Sequence, residues 1–175
     1  MVLHRALARE RERRYPSAAA FLSDLLKVTA GEWSPHVPAA LAVLDFQNLM
    51  DVVADEWIGS GIAENLGLDL GRTATVTVVA REKVLKARQS LIATGITSRA
   101  AELGLALGCR WVVAGAYRRF GSALRVTAHV VEAATGRSLV TETVDGTLEQ
   151  IFDIQDRIAE ITRAALAMET AADHV

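Results

Sequence analysis

The residues able to do chemistry are few, and each set has a competing structural explanation. The single cysteine, Cys109, would act as a nucleophile only beside a base. It follows Gly108 and precedes the apolar run Trp111–Tyr117, the place of a core thiol. Of the histidines His4, His36, His129 and His174, only His129 falls inside a regular element, on the polar side of an alternating segment. Asp51, Asp55 and Glu56 stand together before a helical stretch, where they would offer oxygens to a divalent cation or complement the positive end of the helix. Gly59-Ser60-Gly61 hints at a phosphate cradle, but the dinucleotide fingerprint wants a third glycine where Glu64 stands, and its charge repels a pyrophosphate. Arg118, Arg119 and Arg125 surround one turn beside Tyr117 and Phe120, a mixture that can stack on bases and hold phosphates. Ile151, Ile154, Ile158, Ile161, Ala165 and Met168 recur at 3,4,3,4,3 spacing, fit to pack on a sheet or to zip two chains together. None of these sets specifies a catalytic site, a metal or a cofactor, and none is expected.

Composition narrows the class. The chain has 175 residues, 51% apolar and 23% charged, which is incompatible with disorder through low hydrophobicity. One cysteine excludes a disulfide framework. No apolar run approaches the roughly 18 residues that a membrane helix needs. Net charge is −2, unevenly spread: residues 1–27 hold six basic and three acidic groups, and the remainder, with thirteen and eighteen, carries −5. That acidic balance disfavours nucleic acid as a partner. Arg5, Arg9, Arg11, Arg13 and Arg14 alternate with Glu10 and Glu12, as in a charged surface helix and unlike a signal peptide. The sequence therefore leads to the expectation of a soluble cytoplasmic protein without a membrane partner.

The elements that must position these residues follow from periodicity. Residues 1–28 read as two short helices broken at Tyr15-Pro16-Ser17, and residues 29–38, with Gly31, Pro35 and Pro38, as a linker. From Ala39 to residue 170 the pattern predicts a strand at Leu41–Phe46 and a helix with Ile58, Ile62, Leu66 and Leu70 on one face. A β-branched strand over Thr75–Ala80 and helices around Val84–Leu91 and Ser98–Leu107 follow. Trp111–Tyr117 reads as a central strand, Leu124–Val130 as an alternating strand, Leu139–Val144 as its partner, and the isoleucine stripe as a long helix. Gly121 and Gly136 mark the hairpin turns, and Thr147-Leu-Glu-Gln150 fits a capping box. Residues 171–175 form a tail. The expected architecture is α/β: a mixed five-stranded sheet with packed helices in the order β-α-β-α-α-β-β-β-α, preceded by the short helical segment.

Two stretches resemble known families. Residues 6–25, Ala-Leu-Ala-Arg-Glu-Arg-Glu-Arg-Arg-Tyr-Pro-Ser-Ala-Ala-Ala-Phe-Leu-Ser-Asp-Leu, resemble the closing helices of a bacterial serine/threonine protein kinase. Arg14 falls on that family's arginine, and Arg11 stands where proline is usual. None of the family's phosphoryl-transfer motifs occurs here. Leu41 to about Leu166 resembles the TolB amino-terminal-like domain, related to curli-secretion and flagellar accessory domains. The likeness is carried by Leu41-Ala-Val-Leu-Asp-Phe-Gln-Asn-Leu49, Gly61-Ile-Ala-Glu64, Val78-Val-Ala-Arg81, Leu103-Gly104, Leu107-Gly-Cys-Arg-Trp-Val-Val-Ala-Gly115, Leu124-Arg-Val-Thr-Ala128, Ala134-Thr-Gly-Arg137 and Leu148-Glu149 with Ile151-Phe152 and Ile154-Gln-Asp156. Ser60, Met50 and Val140 depart from the aspartate, serine and tryptophan usual at those places.

These resemblances imply a non-catalytic regulatory or interaction domain of a serine/threonine kinase-type signalling protein. Its expected partners are the adjacent kinase, another protein, an unidentified small ligand, or a second copy through the last helix or the sheet. Two alternatives are a small enzyme using Cys109, His129 or the Asp51/Asp55/Glu56 carboxylates, and a nucleic-acid module using the arginine turn. An envelope scaffold is a third, disfavoured by the lack of a signal-like start.

Overall fold

A computed structural model describes residues 40–73, 76–93 and 99–172, with Ser17, Ala18, Phe21 and Leu22 before them. The chain divides into two compact units, Met1–His36 and Val37–Val175. In the first, the Phe21 amide donates to the Ser17 carbonyl at 3.2 Å, one helical turn. The remaining expectations for the kinase-like segment, Arg14 included, and for the linker lie outside the described residues.

In the second unit the strands are β1 (Ala40–Val43), β2 (Gln47–Asn48), β3 (Thr77–Val78), β4 (Trp111–Phe120), β5 (Ala123–Glu132) and β6 (Ser138–Thr147). The helices are α1 (Glu56–Thr73), α2 (Arg81–Ala93), α3 (Ala100–Leu107) and α4 (Ile151–Ala172), with single 3-10 turns at Val53–Asp55 and Leu148–Gln150. The sheet runs β3-β1-β4-β5-β6, with β2 also paired to β4. Pairings among β1, β2, β3 and β4 are parallel, while β4-β5-β6 is an antiparallel meander. The expected mixed sheet and element order hold. The sixth strand, β2, is two residues long, too short to leave a period in the sequence.

Both faces are covered where the sheet is parallel, as crossover helices require. Leu41, Val43, Trp111, Val113, Tyr117 and the Leu124–Val130 alternation meet Ile58, Ile62, Leu66 and Leu70 of α1 and Ile151, Ile154 and Ile158 of α4. On the other face Ala42, Val112 and Cys109 meet Val84 of α2 and Leu103 of α3. Gly121 and Gly136 take positive φ angles of 60° and 72° at the hairpin turns marked for them, and Gly108 takes one of 67° where α3 ends. The capping box also forms, the Thr147 amide donating to the Gln150 side-chain oxygen at 3.1 Å.

The last helix departs from its expected stripe. Its buried residues are Ile151, Ile154, Gln155, Ile158, Ala159, Thr162 and Leu166, whereas Met168 is 74% exposed. A 3.5-residue repeat drifts around a straight helix of 3.6 residues per turn, so a helix lying on a sheet uses the 3.6 register and sheds the last member of the stripe.

Candidate functional site

The geometry sets Cys109 apart from the other groups expected to do chemistry, and brings His129, Asp51 and Glu56 to the margin of one crevice. Cys109 sits at the head of β4, buried, and burial pushes its thiol up to about 11. His129 faces Ala114 across the β4–β5 pair, five residues further along the strand. At 3.3 Å per residue that is about 16 Å from Cys109, too far for a nucleophile and its base. Burial holds the His129 imidazole below its ordinary pKa. Among the described residues no three His, Cys, Asp or Glu side chains gather as a metal would require.

The glycine pair is likewise not a cradle. Residues 59–61 lie inside α1, which begins at Glu56. The Ser60 hydroxyl donates to the Trp57 carbonyl at 3.0 Å. A Cβ on Gly59 would collide with the Phe46 carbonyl, and one on Gly115 with the Phe46 ring. Phe46 is therefore wedged between a helix glycine and a strand glycine, and its amide donates to the Gly59 carbonyl at 3.2 Å. Close helix–sheet approach explains Gly59; Gly61 faces open space.

The arginines point to different places. Arg125 grips Asp145 with two bonds, at 2.6 and 2.8 Å, on the exposed sheet face. Arg118 lies opposite Arg125 on that face. Arg119, one residue on, reaches the other side and pairs with the buried Asp55. Tyr117 is buried in the core while Phe120 is exposed, two residues from Arg118 along the same strand.

What the structure does assemble is the loop between β2 and α1. Anchored behind by Phe46, it is pinned from inside at both ends. The Leu49 amide donates to the Tyr117 carbonyl at 3.0 Å. Asn48 accepts from the Met50 amide at 3.0 Å and donates to the Val52 carbonyl at 2.9 Å. Asp51 takes a φ of 54°, a left-handed conformation uncommon outside glycine and tolerated best by short polar side chains. The Tyr117 hydroxyl donates to the Asp55 carbonyl at 2.5 Å. Burial, then the nearby Asp55 and Glu56 charges, raise the Tyr117 pKa, keeping the phenol a donor. Between these pins the loop and the first turn of α1 hold Leu49, Met50, Val52, Val53 and Trp57 in solvent, Val53 at 77% and Trp57 at 54% exposure. Sequence reasoning missed these residues because Leu49–Ala54 alternates with neither helical nor strand period; the only signal was an apolar run lacking an element to bury it.

Beside the loop lies an open crevice of about 680 Å³, lined among others by Asp45, Asn48, Asp51, Glu56, Arg88 and His129. It opens between the carboxyl end of β1 and β4. From β1 the chain passes through β2, paired to β4, and crosses by α1 to β3, while from β4 it turns to β5 on the other side. Asp45 is neutralised there by Arg81 at 2.6 Å and Arg88 at 4.0 Å.

No protein-family model matches the chain. It is 30% identical over 145 residues to a putative adenylate cyclase 3 of Rhizobium meliloti, a match covering 82% of this chain and 24% of the cyclase. The chain thus spans about a quarter of that relative's length. Among solved structures, TolB from Acinetobacter baumannii superposes with a TM-score of 0.52 at 17% identity, covering 75% of this chain and 28% of TolB. The fold is TolB-like. The LpoB C-terminal domain from Salmonella enterica aligns at 15% identity and a TM-score of 0.49, over 71% of this chain and 94% of that domain.

The cytoplasmic placement is withdrawn. The lipoprotein GNA1162 of Neisseria meningitidis aligns with the fold at 18% identity and a TM-score of 0.49, over 63% of this chain and 81% of that one. The placement rested on composition and on an arginine-rich start, and neither reports a compartment.

Proposed function

We propose that residues 39–170 are a non-catalytic interaction module of a larger signalling protein, binding a partner protein and passing the event to a neighbouring catalytic domain. One observation carries this reading: an apolar loop is held in solvent by hydrogen bonds from the core strand β4. The match to a quarter of a putative adenylate cyclase supports a place beside an enzymatic domain. The Arg14 segment, residues 1–28, favours a serine/threonine kinase as that neighbour, joined through the linker 29–38. The cyclase relative favours a nucleotide cyclase instead, and the two differ in product. A homodimer through α4 is the weaker form of partnership, since Met168 has left the stripe that would make its seam.

The test has two arms. The purified chain, incubated with ATP and magnesium, should yield neither ADP nor cyclic AMP; turnover above the solvent rate overturns the non-catalytic reading. The full gene product with residues 39–170 deleted should then change its output of phosphoprotein or cyclic nucleotide. An unchanged output overturns the regulatory reading.

A further inference from the structure

The side chains at Leu49, Met50, Val52, Val53 and Trp57 have no partner to bury them within the described unit, and the backbone beneath them is tied to the protein at several points. Leu49 N–H, Met50 N–H, Val52 C=O, Asp55 N–H and Asp55 C=O are each bonded inside the protein. A strand has no edge to pair with here, because the loop is not extended: Asp51 is left-handed and Val53–Asp55 is a 3-10 turn, whereas strand addition needs an extended main chain. Whatever covers it must satisfy its own backbone, and an α-helix does.

Charge selects the kind of helix. Asp51 lies within the apolar run and Glu56 beside it, both exposed and without an ion pair among the described residues. Asn48 and Ser60 continue the polar margin into the crevice. A second copy placed across a two-fold axis would set these carboxylates against each other. An anionic bilayer would repel them. We propose that the loop Leu49–Trp57 is a docking surface for an amphipathic protein helix whose apolar stripe is flanked by lysine or arginine. The apolar stripe covers Val53 and Trp57, and the cations meet Asp51 and Glu56. This rests on the reading of the chain as an interaction module and names the surface through which it acts.

The experiment titrates the whole chain with a synthetic leucine–lysine peptide of helical period, and with its leucine–glutamate counterpart, following backbone amide shifts. The lysine peptide should bind with shifts confined to residues 47–60, and the glutamate peptide should not. Val53→Ser with Trp57→Ala should weaken binding by about tenfold, the scale of losing central apolar anchors. Asp51→Asn with Glu56→Gln should weaken it by about threefold and flatten its salt dependence. Val53→Lys, at the most exposed site, should do the same and replaces the double variant if that fails to fold. The proposal is overturned by absent binding, by equal binding of both peptides, or by loop variants that leave affinity unchanged. Uptake by phosphatidylglycerol vesicles, or a change of oligomeric state in the loop variants, also overturns it in favour of a lipid or a second copy. A full gene product whose output depends on residues 39–170 but ignores the loop variants removes the docking surface and leaves the module reading standing.

Discussion

The phenol of Tyr117 donates to the backbone carbonyl of Asp55 at 2.5 Å, joining residues 62 positions apart. The carboxylate of the same Asp55 pairs with Arg119, two residues further along the strand. One strand thus holds one loop residue twice, by its main chain and by its side chain, and both Tyr117 and Asp55 are buried. The exposed apolar loop is therefore fixed in shape before any partner arrives, which removes the ordering cost that a flexible loop would bring to binding.

Tyr117→Phe should lower stability by about 1–3 kcal/mol, the cost of stranding a buried carbonyl, with the fold retained. Arg119→Met should cost more, because it leaves a buried carboxylate without its cation. Asp55→Asn in the Arg119→Met background should recover part of the loss. Urea unfolding measures all three, and hydrogen exchange should quicken first at residues 49–56. Equal stability of Arg119→Met and the parent would show that the ion pair does not hold the loop.

Two glycines in one helix should respond in opposite directions. At Gly59 an added methyl meets the Phe46 carbonyl and, at 3.1 Å, the Tyr117 ring, so Gly59→Ala should destabilise by several kcal/mol or prevent folding. At Gly61 nothing lies within 4 Å, so Gly61→Ala should stabilise by roughly 0.5–1 kcal/mol through helix propensity. Thermal melts of the pair decide it; a stable Gly59→Ala protein would contradict the close approach of α1 to the sheet.

The sheet and its helices were legible in the sequence because burial leaves a period. The Ile58–Leu70 spacing, the Leu124–Val130 alternation and the positive-φ glycines all follow from which side of an element must avoid water. The loop was not legible, since Leu49–Ala54 is apolar without period and nothing local says that Tyr117 and Arg119, some 60 residues on, will hold it open. The arginine turn, where nucleic acid was already disfavoured, divides between two faces: neighbours in sequence along a strand face opposite sides, so Arg118 and Arg119 never share a surface.

Cys109 should be inert to thiol reagents in the native protein at neutral pH and react only on unfolding, since the thiolate is the reactive form. Its pKa rises from 9.0 to about 11 on folding. The neutral thiol is therefore favoured in the native state, and the contribution is fully present below pH 9. It is lost as pH rises from 9 toward 11, where the unfolded chain ionises first. Cys109→Ala should flatten that part of the stability profile, and an unchanged profile would contradict a buried thiol.

His129 should titrate below its ordinary 6.5, because burial disfavours the imidazolium. The native state then takes up its proton later than the unfolded chain does. Stability from this residue is present above pH 6.5 and falls as the solution is acidified through the native pKa. An imidazole proton-shift titration reads the midpoint directly. A midpoint above 6.5 would mean that a carboxylate of the crevice, Asp45 or Glu56, and not burial, governs this group.

The register of α4 separates packing from self-association. Ile158 is 1% exposed against the sheet, and Met168, ten residues on in the same stripe, is in solvent. If the stripe served a two-chain seam, both residues would be core positions and both substitutions would be costly. Packing on the sheet predicts otherwise: Ile158→Ala should cost about 2–5 kcal/mol by leaving a cavity. Met168→Ser should change stability by less than about 0.5 kcal/mol, as surface substitutions do. Chemical unfolding at several protein concentrations makes the comparison complete, because a seam makes the midpoint rise with concentration and a helix lying on its own sheet leaves it fixed.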